Sequence, residues 1–313
     1  MDPQDGARVA ELTILVDNVA PDGLEAEHGF SLWLEVSGRH LLFDTGQSAM
    51  LGRNAGRLGI DLSQADALVL SHGHYDHTGG VAVALDRASD AEIYLHPAAL
   101  GSHYSIRGGV VRDIAMPRGS RDALERATKE THWVTEPVSL GADVWLSGPI
   151  ARLTAFEDPG GPFFLDGERS APDPIADDLA LWVCTERGLV VICGCCHSGL
   201  VNTLLQAEHV SGESRLLAVV GGLHLGEASD LRLEETVREL RARGAQLVVP
   251  CHCTGEVAAL RLEDRLGSRV VRGGVGVSLR FGSGGAPCLW RRNGPDGENP
   301  GAEGLARSLG SST

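Results

Sequence analysis

Short apolar bursts alternate with polar, glycine-rich breaks along the chain, and the bursts predict its elements. Leu12–Val16, Ser31–Val36, Leu41–Phe43, Ala67–Leu70 and Ile93–Leu95 are rich in Val, Ile or Leu and end at Gly, Asp, Ser or Pro, as buried strands do. Leu179–Cys184, Leu189–Cys193, Leu216–Val220 and Leu247–Val249 repeat the pattern later. Helical spacing is clearest in three stretches. Thr78–Ser89 is amphipathic after a Gly-Gly start. Ser229–Arg243 has a serine cap, then Leu233, Val237 and Leu240 at helical spacing, then Gly244 as a stop. Thr254–Leu266 opens on a threonine cap and ends at Gly267. Strands and helices alternate in the second half, whereas the N-terminal part is strand-rich, so a layered α/β or α+β domain is expected.

Two stretches lack this patterning. Residues 101–178 scatter Arg, Pro and Gly and read as an insertion or lid over a site. Residues 282–313 have linker composition and read as a flexible tail, which leaves 1–281 as the folded domain.

Composition narrows the function classes. The chain has 313 residues, enough for a full core, and carries a net charge of −15. That balance argues against a nucleic-acid-binding face, though a local basic pocket stays open. Lys129, the only lysine, sits in a polar stretch and is a poor candidate for Schiff-base chemistry. The N-terminus lacks the basic start and apolar run of a secretory signal, and the longest apolar run, GLVVICGCC, is about half the ~20 residues a bilayer span needs. Of the seven cysteines, Cys193, Cys195, Cys196, Cys251 and Cys253 crowd into two short segments, a pattern of metal or thiol chemistry in a reducing compartment. A soluble, cytoplasmic protein acting on a small molecule is expected, with no nucleic-acid or membrane partner; a homo-oligomer stays open.

The chemistry concentrates in SHGHYDHTGG, Ser71 to Gly80, directly after a strand. His72, His74, Asp76 and His77 would carry a desolvation cost of several kcal/mol if buried without partners. Alternate residues of an extended segment point the same way, so His72 and His74 can grip one ion while Asp76 and His77 turn toward a second. Nitrogen with carboxylate oxygen suits zinc foremost, and also iron or manganese. Gly73, Gly79 and Gly80 are expected to let the backbone turn tightly around the ions. ICGCCHSG and VVPCHCTG place His197 and His252 just beyond two later strands, His197 for the first ion and His252 for the second. His224, in VVGGLHLG, is a substrate-polarising or proton-transfer residue at the rim, an extra ligand, or a packed strand-end histidine.

HxHxDH, with LLFDTG (Leu41 to Gly46) upstream, resembles the metallo-β-lactamase superfamily. The resemblance implies an αββα sandwich of two mixed sheets flanked by helices, with two divalent ions. It also implies that Asp44 orients the metal site without being a ligand. The chain departs from the common family pattern, since no Gly-Asp follows Leu189–Cys193 and Cys195 stands about where a bridging aspartate is expected. Cys195 is therefore a thiolate bridge or a small buried residue. ILVDN, AEHG, DDLAL, HSG and P-x-HCTG are similar to a subgroup that includes dihydropterin-ribofuranosylaminobenzene phosphate synthases. That likeness implies Asp17, Asn18, Glu27 and His28 at the mouth of the site, with Asp177 and Asp178 helping to hold the second ion or orient a histidine. Arg107, Arg112 and Arg118, in the lid region, could meet a phosphate. His40, His96, His103, His132 and His209 lack the strand-end context and read as ordinary. The reaction expected is metal-assisted displacement by an activated water on a phosphate- or diphosphate-bearing small molecule such as a pterin, with Asp76 relaying the proton. The rivals are a lactone or thioester hydrolase, a redox di-iron enzyme, which would need an electron-supplying partner domain, and a metal or thiol sensor without turnover.

Overall fold

A computed structural model describes residues 9–282 and 287–291. The chain begins with β1 (Ala10–Val16), β2 (Ser31–Val36), β3 (Arg39–Phe43), α1 (Met50–Arg57), β4 (Ala67–Val69), α2 (Tyr75–Thr78), α3 (Val81–Arg87) and β5 (Glu92–Leu95). It continues through β6 (Tyr104–Arg107), β7 (Val110–Asp113), α4 (Arg118–Arg126), β8 (Thr131–Trp133), β9 (Val138–Gly141), β10 (Val144–Leu146) and β11 (Phe163–Phe164). The second half holds β12 (Ala180–Thr185), β13 (Gly188–Cys193), α5 (Leu200–Ser211), β14 (Leu216–Gly222), α6 (Asp230–Ala242), β15 (Leu247–Cys251), α7 (Glu256–Leu266), β16 (Val277–Phe281) and β17 (Cys288–Arg291).

Period-2 alternation sorts the strand residues into layers. In the larger sheet, ordered β17-β16-β1-β2-β3-β4-β5-β8, Leu12, Ile14, Leu32, Leu34, Leu41 and Phe43 face inward. Their alternates Leu15, Trp33, Leu42 and Leu68 face outward, against Leu51 and Ala55 of α1 and Val81 and Ala84 of α3. In the smaller sheet, β15-β14-β13-β12-β10-β9, Leu181, Val183, Val190 and Ile192 meet the first set. Trp182, Val191 and Val248 pack outward under α5, α6 and α7. These three apolar contacts make the expected αββα sandwich. Both sheets are mixed: β3-β4-β5-β8 and β13-β14-β15 run parallel, the remaining pairs antiparallel.

All nine expected strands form within two residues of their predicted limits. The stretch Thr78–Ser89 differs: α2 ends at Thr78 and α3 starts at Val81. Thr254 does not cap α7; that position belongs to Gly255, and the Thr254 hydroxyl accepts a hydrogen bond from the Leu223 amide. Helices α1 and α5 escape a hydrophobic-periodicity reading because polar side chains lie on their buried faces. Asn54 donates to the Leu15 and Glu25 carbonyls, and Asn202 accepts from Leu153 and Thr154.

Residues 101–178 are not one appendage. β8 extends the larger sheet and β9–β10 the smaller, while β6, β7 and β11 form a separate three-stranded sheet. Within the stretch expected as a tail, Cys288–Arg291 pairs with β16 as an edge strand. Residues 283–286 and 292–313 lie outside the described residues. Among the described residues no helix is long and apolar enough to cross a membrane.

Candidate metal centre

One edge of the sandwich collects the ends of six strands. β1 leads to Asp17 and Asn18, β3 to Asp44, β4 to Ser71–His77, β13 to Cys195 and His197, β14 to His224, and β15 to His252. Hydrogen bonds fasten these ends together: Leu179 N to Ser71 O at 2.8 Å, Gly222 N to Gly194 O at 3.1 Å and His252 N to Asp17 Oδ1 at 2.9 Å. Asp44, Cys196, His224 and His252 adopt left-handed backbone (φ 58°, 61°, 46° and 46°), a strain that gathers at sites where side chains must be aimed. Gly73, Gly79 and Gly80 have no such φ, so they do not serve as the expected tight turns. They provide room: a Cβ at each would lie 2.3 Å from a backbone oxygen, of Ala99, Gln47 and Thr45 respectively.

Four imidazoles are held in one way. The buried Asp44 carboxylate accepts from Ser71 N, Ser71 Oγ and His77 Nδ1, each at 2.7 Å. Because Ser71 Oγ donates there, it accepts from His72 Nδ1 at 2.9 Å. His252 Nδ1 donates to Asn18 Oδ1 at 3.0 Å and His197 Nδ1 to Pro159 O at 2.8 Å. Each bond makes Nδ1 the donor and leaves Nε2 facing the cluster. Those nitrogens converge: His77 Nε2 lies 3.2 Å from His252 Nε2, and His72 Nε2 lies 3.0 Å from His74 Nδ1. His197 Nε2 is buried without a hydrogen-bond partner among the described residues, and the donors of His72, His74 and His197 lie within 4.8 Å of one another. Asp76 Oδ2 is 3.1 Å from His28 Nε2 and 3.3 Å from His252 Nε2. Buried imidazole nitrogens crowded this closely fit a divalent cation.

The electrostatics agree for three of the rings. Burial opposes charge on His252, but Cys253 and Asp76 outweigh it and raise that ring to about 9, so without a cation its Nε2 holds a proton toward Asp76. Burial, reinforced by neighbouring imidazoles, pushes His72 and His197 well below the usual histidine range; burial brings His74 down to about 3. All three are therefore neutral, the form that ligates metal. Burial opposes ionisation of Asp76, but His77, His252 and His28 outweigh it and hold its carboxyl well below the usual carboxylate range.

The remaining expected residues divide. His28 lines the cavity in front of the cluster, a space of about 670 Å³. Asp17, Asn18 and Glu27 do not line it. Asp17 and Asn18 hold His252 from behind, and Glu27 accepts from Gln47 N and Ser48 Oγ in the neighbouring loop. Asp177 and Asp178 sit beneath the motif loops, accepting from Gly73 N and Ser198 N at 2.7 Å each. Burial raises the Asp178 carboxyl to about 6. Cys195 Sγ stands 3.1 Å from His77 Nε2. His224 lines the cavity with Nε2 donating to Gly160 O, and its Nδ1 has no partner among the described residues. Arg107 and Arg112 line the cavity from β6 and β7; Arg118 does not, and pairs with Asp122 on α4.

His40, His96, His132 and His209 lie outside the site, on partly or fully exposed positions. His103 is not ordinary: it is buried, donates from Nδ1 to Asp173 at 2.6 Å and packs edge-on against His74. Sequence reasoning also missed Glu157–Gly160. Glu157 accepts from Val201 N and Asn202 N at the start of α5, and the next three carbonyls accept from Arg232, His197 and His224. Its one visible signal was the Glu-Asp-Pro-Gly-Gly run, which reads as a turn.

A four-layered sandwich with histidines and one aspartate at the strand ends defines a metallohydrolase-like class. The chain belongs to the metallo-beta-lactamase superfamily, whose profile matches residues 24–205. It is 31% identical over 255 residues to an uncharacterised protein of Methanocaldococcus jannaschii, covering 81% of this chain and 94% of that one. It is 27% identical over 240 residues to the 7,8-dihydropterin-6-methyl-4-(beta-D-ribofuranosyl)-aminobenzene-5'-phosphate synthase of the same organism, covering 74% of this chain and 82% of that enzyme. Among solved structures, Tm1679, a metal-dependent hydrolase of the beta-lactamase superfamily, superposes with a TM-score of 0.75 at 33% identity, covering 87% of this chain and 99% of that one.

Proposed function

We propose that the protein is a metal-dependent hydrolase or transferase acting on a phosphate- or diphosphate-bearing small molecule, of which a pterin is the leading candidate. The observation that carries this reading is the orientation of His72, His77, His197 and His252, each with Nδ1 tied outward and Nε2 facing the cluster. His72, His74 and His197 would hold one divalent ion, and Asp76, His77 and His252 a second. Bound there, such ions supply Lewis-acid stabilisation of developing negative charge and an acidified water.

The chain's own groups supply the rest. Asp76, held ionised, accepts from His28 at Oδ2 and orients that ring over the cavity. His224 lines the cavity, with Nε2 held by Gly160 O and its Nδ1 buried without a partner among the described residues. Arg112 offers a planar, permanently charged fork that suits a phosphate group, and Arg107, paired with Glu227, stands beside it on the same wall. Phe163, Ile114 and Val110 give the same wall an apolar strip against which a flat ring can lie. The open cavity in front of the donors favours turnover over a closed structural or sensing site. The relative named as a pterin-linked phosphate synthase supports the substrate class.

The test measures hydrolysis of a phosphodiester, a pterin diphosphate, a lactone and a thioester, before and after chelation. Chelator-sensitive turnover of the phosphorus substrates is expected. Turnover confined to the lactone or thioester would replace the phosphate reading with its rival.

A further inference from the structure

The proposed reaction leaves the clustered cysteines without a role, yet two of them point at its centre. Cys195 Sγ belongs to three donor groups whose atoms lie within 4.8 Å of one another: with His72 and His77, with His197 and His224, and with His252 and Cys253. None of the other residues in these groups is shared so widely. Cys253 follows His252 directly, the His252 backbone is left-handed (φ 46°), and His252 and Cys253 both line the cavity. The end of β14 keeps space for the thiol, because a Cβ at Gly222 would lie 2.7 Å from Cys253 Sγ and 2.4 Å from Gly194 O. Oxygen donors are scarce. Asp177 and Asp178 each give one oxygen to the backbone amides of Gly73 and Ser198 and keep the other buried, without a partner among the described residues and outside the donor clusters. Asp44 is held by Ser71 and His77, and Asp76 is the carboxylate among the clustered donors.

We propose that Cys195 and Cys253 are metal ligands, Cys195 at the junction of the two histidine groups and Cys253 beside His252, so that the centre selects zinc, cobalt or ferrous iron over manganese and magnesium. This rests on the metal-centre reading above. Thiolate and imidazole are softer donors than carboxylate or water, and they bind weakly to ions that demand oxygen. Cys195 also stands about where the family pattern led to the expectation of a bridging aspartate. A nitrogen–sulfur donor set there changes which ion is retained, not only how tightly.

The experiment titrates the metal-free, full-length chain with cobalt(II), following near-ultraviolet absorption, and then competes zinc against manganese. The wild type is expected to develop a thiolate-to-cobalt charge-transfer band. Cys253→Ser is expected to weaken the band, Cys195→Ser to abolish most of it, and Cys184→Ser, away from the site, to leave it intact. Each site variant is expected to reduce the preference for zinc over manganese by at least about 10-fold. Alkylation of Cys253, which is partly exposed, needs no variant and is expected to slow when cobalt is bound. Cobalt binding with no charge-transfer band and no protection of Cys253 overturns the thiolate assignment while leaving the histidine centre standing. No cobalt binding at all overturns both.

Discussion

The two walls of the cavity are built in opposite ways. The inner wall, Ser71–Thr78, is buried except for Tyr75, and its backbone is gripped by carboxylates, with Asp44 on Ser71 N and Asp177 on Gly73 N. The outer wall, Val110–Asp113 of β7, is exposed along its whole length and belongs to a three-stranded sheet outside the sandwich. The first arrangement holds donor atoms in place without a ligand; the second leaves recognition on a segment that can vary without disturbing them. Under the proposed function, the difference puts reaction and substrate choice on separable parts of this chain.

Breaking the inner wall is expected to have the largest effect. His72→Ala removes a lone pair from the centre, and the variant is expected to lose bound metal and all measurable turnover while keeping its far-ultraviolet circular dichroism. Retained metal would place the ligands elsewhere. Asp44→Ala comes next, since it frees His77 and leaves Ser71 N unpaired. Metal affinity or activity should fall about 10–100-fold, with about 1–3 kcal/mol of stability lost from the stranded buried donors. The outer wall should respond in the reverse sense. Arg112→Ala is expected to raise KM for a phosphate substrate about 5-fold, the scale of an exposed charge contact, with kcat and Tm nearly unchanged. A fall in kcat alone would show the walls are not separable.

The smallest effect concerns the seam between the walls. Burial opposes charge on His103, but the hydrogen bond to Asp173 and the charge of Asp177 outweigh it and raise its pKa above the usual histidine value. The charged form therefore stabilises the fold fully below the unfolded value of about 6.5, and the contribution fades as pH rises through the folded one. His103→Gln should lower Tm more at pH 6 than at pH 9; an equal loss at both would show that His103 is neutral.

The strands and HxHxDH were legible because burial and ligation leave a local record: apolar runs, and too many imidazoles in one span. The partners that aim those imidazoles were less so. Asn18 and Pro159 meet His252 and His197 only through the closed sandwich, and nothing in their local sequence marks them as holding a ring. The subgroup likeness implies Asp17, Asn18 and Glu27 at the mouth, whereas the strand end carries two of them behind His252. His103 was passed over because its partner, Asp173, lies 70 residues away. The hairpin of β6 and β7 gave no strand signal because Val110–Asp113 buries nothing.

The most direct test of the central claim is the metal content of the purified chain, followed through chelation and reconstitution alongside turnover. The account predicts close to two equivalents per chain, their removal together with activity, and the return of both on adding zinc. Turnover that survives complete removal of metal would contradict it.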